Sequence, residues 1–461
     1  MFSTKELEEG TQYYSTNHKA QHVSFRKALL KGLAPDAGLY MPLNLPRLNS
    51  DELVALSDLT YPELATQIIG RIIGNEISSG DLLNICNEIY TFAIPLEQVS
   101  DKNYIMRLDQ GPTASFKDFA ALLMGRLMQY FLSQEKKHIT ILTATSGDTG
   151  SAVANAFHGL KNIRVIILFP SGEVTDLQRK QMTTFHDNIQ VIEIEGKFDD
   201  CQRLVKNAFM DPLLSGINLS SANSINIGRL LPQSVYYFRA WAQLSGKTGD
   251  KLIFSVPCGN FGNLTGGLIA RTMGLPVKRF IISTNENDEV PLFLETGEYN
   301  PINPSKNCIS SAMNVGHPSN LARIISMYGG TMDENGNILQ SPDLSAIRQD
   351  FYAARISDKE TRETIRSFYQ QFGKILEPHG AVAWAGMQKY ILDHPADSYK
   401  DNFCISLETA HPAKFRDEII IVLNIEPELP ESLLKIESRT EEYISLENNY
   451  ELLKKYIIQN Y

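Results

Sequence analysis

LDQGPTASFKDFA, residues 108–120, is the stretch on which the reading of this chain turns. An extended Tyr104-Ile105-Met106 segment leads into it and Gly111-Pro112-Thr113 turns the chain. A long apolar helix is expected directly after Lys117, with polar side chains over residues 119–132 at Arg126 and Gln129. A helix apolar nearly all round packs inside a fold, so Lys117 stands at the mouth of the interior. Burial disfavours its ammonium form, and so does the positive end of a helix dipole. A lysine that attacks a carbonyl must be an amine at working pH. A lysine that packs its stem and snorkels its head to water is the alternative. These residues alone leave both open.

Working outward, apolar runs alternate with helical patterns. Strands are expected at 139–145, 164–170, 189–196 and 217–220, with helices at 151–159, 177–185 and 200–210 between them. A second series places strands at 251–256, 279–284, 402–406 and 418–423. Such alternation argues for parallel sheets. The expected fold class is α/β: two parallel-sheet α/β domains with a cleft between them, plus a mostly helical N-terminal domain. The expected boundaries are 1–95 for the N-terminal domain, whose LAPDAGLYMP stretch (33–42) is a loop, 96–118 with 215–430 for the larger α/β domain, and 119–214 for the smaller. Beyond the connector IEPELPES (425–432), Leu446, Tyr450, Leu453 and Ile457 recur at helical spacing. Residues 431–461 are therefore read as a C-terminal helix.

Composition narrows the function. The 461 residues suggest two or three domains, and 43% apolar residues supply a large core. A net charge of −10, with both signs well mixed, lacks the basic stripe of a nucleic-acid binder. The five cysteines show no CxxC spacing, so no metal site or disulfide framework is expected. MFSTKELEEG does not read as a signal peptide, and no run of about 18 apolar residues could span a membrane. A small-molecule enzyme of the cytoplasm fits these features.

Three further stretches carry chemistry. Gly259-Asn260-Phe261-Gly262-Asn263 follows one strand and opens a helix, where backbone amides favour an anion and glycines allow close approach. No GK[ST] follows, so it is not a nucleotide P-loop. Gly246-Lys247-Thr248 is a decoy, with Trp241 where a glycine would be needed and a strand following it. Ser146-Gly147-Asp148-Thr149-Gly150 ends another strand, and its hydroxyls and helix-start amides suit a carboxylate. An ordinary N-cap is the plainer reading. In SSANSINIGRLLPQ (220–233), Arg229 suits an anionic group as a bidentate partner, or is a surface arginine.

Together, LDQGPTASFKDFA, KHITILTATSGDTGSAVANAF (137–157), KLIFSVPCGNFGNLTGG (251–267) and SLETAHPAKF (406–415) resemble the threonine synthases. These are pyridoxal-phosphate enzymes of the tryptophan-synthase-β fold type (fold type II). The resemblance covers the four motifs in order, and a GLAPDGGLY-like stretch near the start of the family extends it to residues 33–42. It implies that Lys117 holds pyridoxal 5'-phosphate as a Schiff base and shuttles protons once displaced. It makes Gly259, Asn260, Phe261, Gly262 and Asn263 the cup for the cofactor's phosphate, and places Thr409 against the pyridine nitrogen. Ser146, Gly147, Asp148 and Thr149 become the loop for the substrate carboxylate, with Asp148 where the wider group often has asparagine. Asn226 or Arg229 would meet the substrate, and Lys414 is a second candidate for its phosphate. Glu408, which departs from the family's serine, puts a carboxyl beside Thr409. His411 is read as structural, and Glu377-Pro378-His379 as wall of the site. The implied reaction takes O-phospho-L-homoserine and water to L-threonine and phosphate by γ-elimination and β-hydration, the last step of threonine biosynthesis, in a monomer. The nearest alternative is a threonine-synthase-like phospholyase that releases 2-oxobutyrate. A non-catalytic relative fits less well, because the lysine is present.

Overall fold

Strands buried on both faces read as unbroken apolar runs, and such runs build the two sheets of this protein. The computed structural model describes residues 11–246, 249–398, 402–434, 436 and 438–460. The decapeptide read as no signal sequence and Lys247-Thr248 of the decoy tripeptide lie outside the described residues.

The larger sheet has six strands in the order Phe351–Arg355, Val277–Thr284, Lys251–Pro257, Asn402–Glu408, Asn103–Arg107, Leu96–Ser100. All its neighbours are parallel except the last pair. The smaller sheet is parallel throughout, in the order Ile444–Glu447, Ile189–Glu195, Ile163–Pro170, Ile139–Ala144, Leu219–Ser220. Every residue of Ile139–Ala144 is buried. The helix Lys117–Glu135 lies in the main core, with Phe119, Leu123, Met124, Leu127, Met128 and Phe131 all buried. Truncating one such leucine to alanine costs about 2–5 kcal/mol.

The register of the larger sheet sets the site. Arg107 pairs with Glu408 at the ends of two parallel strands, so the chain leaves both at the same edge. The two exits are then stitched together: the Leu108 amide donates to the Glu408 carbonyl at 3.0 Å, and the Phe116 amide to the Thr409 carbonyl at 2.9 Å. A bridge between Ser115 and Ala410 completes the seam. Lys117 and Thr409, far apart in sequence, are thereby held on one ledge.

Four differences from the sequence reading have physical reasons. Residues 418–423 are not a strand but part of the helix Arg416–Leu423, with Ile419 and Val422 buried three apart and Ile421 71% exposed. An apolar run of that length suits either element. The C-terminal segment is not helix alone: Leu446 belongs to the strand Ile444–Glu447, which extends the smaller sheet. The helix is Tyr450–Asn460, whose Leu453 and Ile457 join the core beside helix Phe198–Met210. The strand expected at 217–220 shortens to Leu219–Ser220. Lastly, the mostly helical N-terminal region also carries a three-stranded antiparallel sheet of Gln12–Ser15, Val23–Ser24 and Tyr40–Pro42.

That N-terminal region shares one continuous core with the helix Lys117–Glu135. It is also tied to the loop at Ser224 and Ile225 by the fully buried Arg323 of helix Leu321–Met327. Arg323 donates to the carbonyls of Tyr40, Ser224 and Ile225 at 3.2, 3.1 and 2.6 Å. Among the described residues, no helix is long and apolar enough to cross a membrane.

Candidate active site

The carboxyl ends of strands Ile139–Ala144, Lys251–Pro257 and Asn402–Glu408 converge on a cavity of about 110 Å³. It continues into a wider chamber of about 340 Å³, sharing Ala144, Asn223, Ser224 and Asn260 with it. The outer chamber is walled partly by Thr16, Asn17 and Leu39 of the N-terminal region.

Lys117 is the first residue of its helix and its ammonium reaches this cavity, 15% exposed. Its Nζ lies 3.3 Å from Asp148 Oδ2. Lys414, whose side chain is fully buried, holds the other oxygen, Oδ1, at 2.7 Å and also donates to the Thr113 carbonyl at 3.0 Å. Gln178 Nε2 donates to Oδ1 as well, at 3.0 Å. One carboxylate thus sits between two lysines. Burial would raise the Asp148 carboxyl, but Lys414 and Lys117 outweigh it and hold it well below the usual carboxylate range. Burial lowers Lys117 from the usual lysine value, Asp148 opposes this, and Lys414 adds to the lowering. The direction favours an amine at the cavity, and the head group is not snorkelling to bulk water.

Asp148→Asn should expose what this carboxylate contributes. Leaving two buried lysines without their acid is expected to cost about 3–5 kcal/mol of stability, read by urea denaturation. Because its pKa is depressed on folding, the contribution is fully present above the unfolded value of about 3.9 and is lost as pH falls through the folded value. The gap between wild type and variant should therefore be constant from about pH 5 to 7. A gap that shrinks across that window would mean Asp148 is not the ionised partner.

Ser146, Asp148 and Thr149 line the cavity, whereas Gly147 supplies the turn. Its φ of +127° lies outside the reach of most side chains, and an added Cβ would stand 2.5 Å from the Gln178 amide carbon. Since Asp148 is committed to the lysines, the hydroxyls of Ser146 and Thr149 and the N-terminus of helix Asp148–Phe157 are what this loop offers an anion.

Across the cavity, Gly259-Asn260-Phe261-Gly262-Asn263 all line its wall. Phe261 takes the left-handed φ of +60° just before helix Gly262–Thr272, whose first amides have no partner within the helix. Asn263 is oriented by two tyrosines: the hydroxyls of Tyr236 and Tyr237 donate to its Oδ1 at 2.6 and 2.7 Å. That leaves Nδ2 buried with no partner among the described residues.

Arg229 and Asn226 part company. Arg229 lines the cavity, 5% exposed, with Nη1 donating to the Ala222 carbonyl and Nε buried and unpartnered among the described residues. Burial lowers its guanidinium to about 10. Asn226 is absent from the cavity wall and fully buried. It caps the helix Ile227–Leu230, its Oδ1 accepting from Gly228 and its Nδ2 donating to the carbonyls of Leu29 and Ser221. Its hydrogen-bonding capacity is used, so the expected substrate contact has no free group behind it. Lys414 likewise lies beneath the cavity wall, against Asp148.

Thr409 lines the cavity beside His379. The Thr409 hydroxyl lies 3.2 Å from Glu377 Oε1. Glu408 turns away from the cavity and under the next helix, its Oε1 accepting from the Glu377 amide at 2.8 Å. Burial first, then repulsion from Glu377, pushes its carboxyl well above the usual range. His411 caps a short turn by accepting from the Ala413 amide. Sequence reasoning missed the segment Ser311 to Val315, which covers one side of the cavity, and Phe198 from the smaller unit. Neither carries a local signal; tertiary packing alone brings them there.

The donor set fits the expected cofactor. A buried lysine shares the cavity with Thr409, an amide cup opens at a helix start, and two residues with orphaned donors, Asn263 (Nδ2) and Arg229 (Nε), belong to the same wall. Three family profiles cover the chain: "Threonine synthase N terminus" over residues 12–90, "Pyridoxal-phosphate dependent enzyme" over 88–401, and "Threonine synthase, C-terminal" over 381–457. The chain is 40% identical to a threonine synthase of Haemophilus influenzae over 448 residues, covering 97% of this chain and 99% of that one. Among solved structures, a PLP-bound threonine synthase from Brucella melitensis superposes with a TM-score of 0.89 at 36% identity, covering 97% of this chain and 99% of that one. Threonine synthase from Escherichia coli superposes with a TM-score of 0.87, also at 36% identity, covering 98% and 100%.

Proposed function

Since this chain belongs to the threonine synthase family of pyridoxal-phosphate-dependent enzymes, we propose that its cleft converts O-phospho-L-homoserine and water to L-threonine and phosphate. The observation that carries the reading furthest into this chain is the lysine corner, a buried lysine paired with Asp148 that lines the same cavity as the amide cup. When bound, pyridoxal phosphate supplies an electron sink for carbanions beside the substrate's amino group.

The residues divide the remaining work. Lys117 is the residue that would hold the cofactor, and its Nζ would serve as the proton carrier once substrate is bound. Its Nζ would take the α- and β-protons, so that the β-carbon electron pair expels phosphate from the γ-carbon, and would return one proton to the γ-carbon and one to the α-carbon as water adds at the β-carbon. Asp148, itself held by Lys414, positions that nitrogen from one side. Residues 259–263 cradle the cofactor's phosphate, with Asn263 Nδ2 as a donor. Ser146 and Thr149 receive the substrate carboxylate. Arg229 is assigned to the substrate's phosphate, because it lines the cavity and its buried Nε has no hydrogen-bond partner among the described residues. The segment Ser311 to Val315 shields the reacting centre from water. The reading places a monomer in the cytoplasm acting on a free small molecule, in keeping with five free cysteines and no membrane-crossing helix among the described residues.

Product analysis after incubation of the cofactor-loaded protein with O-phospho-L-homoserine tests the reading. Threonine with an equal amount of phosphate is expected. Phosphate with 2-oxobutyrate would replace it by the phospholyase. In the same assay Arg229→Ala should raise KM for the phosphate ester at least about tenfold, the worth of one charged hydrogen bond. An unchanged KM would clear Arg229 of the phosphate.

A further inference from the structure

The partners of Glu377 decide the polarity of a hydroxyl in the cavity. Glu377 begins helix Pro378–Asp393 and is fully buried. Its Oε1 accepts from the Gly380 amide at 3.0 Å, and its Oε2 from the His379 amide at 2.7 Å. The His379 ring is fixed at its far side: the Ala312 amide donates to Nε2 at 3.1 Å. Nε2 is therefore the acceptor nitrogen and Nδ1 carries the proton, which it donates to Glu377 Oε2 at 2.5 Å. Every fixed partner of Glu377 is a donor and the helix start favours negative charge, so Glu377 is an ionised, acceptor-only carboxylate. The neighbouring carboxyl, Glu408, is pushed well above the usual range by burial first and by Glu377 next.

It follows that the 3.2 Å contact between Thr409 Oγ1 and Glu377 Oε1 is made with the threonine as donor. A hydroxyl has one proton. With that proton turned to Glu377, Thr409 offers the cavity only lone pairs. We propose that Glu377 is a positioning residue that, through Thr409, makes the site select the protonated form of the cofactor's ring nitrogen. This rests on the reading above, that Thr409 meets that nitrogen. It departs from what a free threonine implies, since an unconstrained hydroxyl could equally donate to an unprotonated ring. A pyridinium withdraws electrons more strongly than a pyridine. That suits a reaction which must place negative charge at two adjacent carbons.

The test uses the holoprotein reconstituted with pyridoxal phosphate labelled with ¹⁵N in the ring, read by NMR. The wild-type ring resonance is expected at the protonated position. Glu377→Gln and Thr409→Val should each move it to the unprotonated position, whereas Thr409→Ser, which keeps the hydroxyl, should not. An unprotonated ring in the wild type overturns the proposal whether or not the variants fold. So does a ring that stays protonated in a folded, cofactor-loaded Glu377→Gln. Failure of the wild type to bind the label would overturn the underlying reading as well, and the lysine-linked absorbance band distinguishes that case.

Discussion

Lys117→Ala is expected to abolish covalent attachment of the cofactor and to lower kcat/KM by about 10³-fold or more, the scale of a lost acid–base group compounded by lost anchoring. Borohydride reduction of the wild type followed by peptide mapping should label the peptide carrying Lys117, and the variant should carry no label. The competitor is Lys414, the other lysine on Asp148. It is fully buried, and its Nζ is spent on Asp148 and the Thr113 carbonyl. Lys117 lines the cavity and has one ionic contact at the longer distance of 3.3 Å. A label on the peptide of Lys414 would reverse the assignment and make Lys117 the supporting cation.

The second large effect is electrostatic. At Gly262 an added Cβ would find its nearest neighbour, Gln233 Nε2, at 3.5 Å, an ordinary contact. Alanine there should be tolerated. Aspartate adds a negative charge to a cup read as holding a phosphate. Two unit charges about 4 Å apart repel by about 4 kcal/mol at an effective dielectric of about 20. Gly262→Asp should therefore weaken cofactor binding on the order of 10²- to 10³-fold, while Gly262→Ala changes it little. Equal dissociation constants for the two variants, measured by equilibrium dialysis, would remove the phosphate from this cup.

Much of the scaffold could be read from the sequence because doubly buried strands leave unbroken apolar runs, as at Ile139–Ala144 and Lys251–Pro257. The same logic failed at Arg416–Leu423. Its Ile419-Ile420-Ile421-Val422 run has no alternation, and only packing shows which side is inside. Within the site, glycine turns after strands were legible, because anion cups need small residues at fixed places. Asn226 was not, since a cap and a ligand contact call on the same amide. Glu377 was recognised only as wall. Its significance depends on which atoms of His379 and Ala312 stand behind it, and no spacing in the chain encodes that.

The seam between the ends of strands Asn103–Arg107 and Asn402–Glu408 also bears on how the protein comes into being on the ribosome. Lys414 reaches a carbonyl 301 positions earlier in the chain. At roughly 5–20 residues per second, Thr113 waits about 15 to 60 s for that partner to be made. Until then strand Asn103–Arg107 lacks its parallel neighbour and keeps one edge open. The cup and the lysine can exist in a half-finished chain, but the ledge that joins them cannot. A nascent or truncated chain ending before that strand therefore has no partial activity to offer, and exposes an edge that other chains could pair with. Assembly of the site therefore waits until most of the chain has been made.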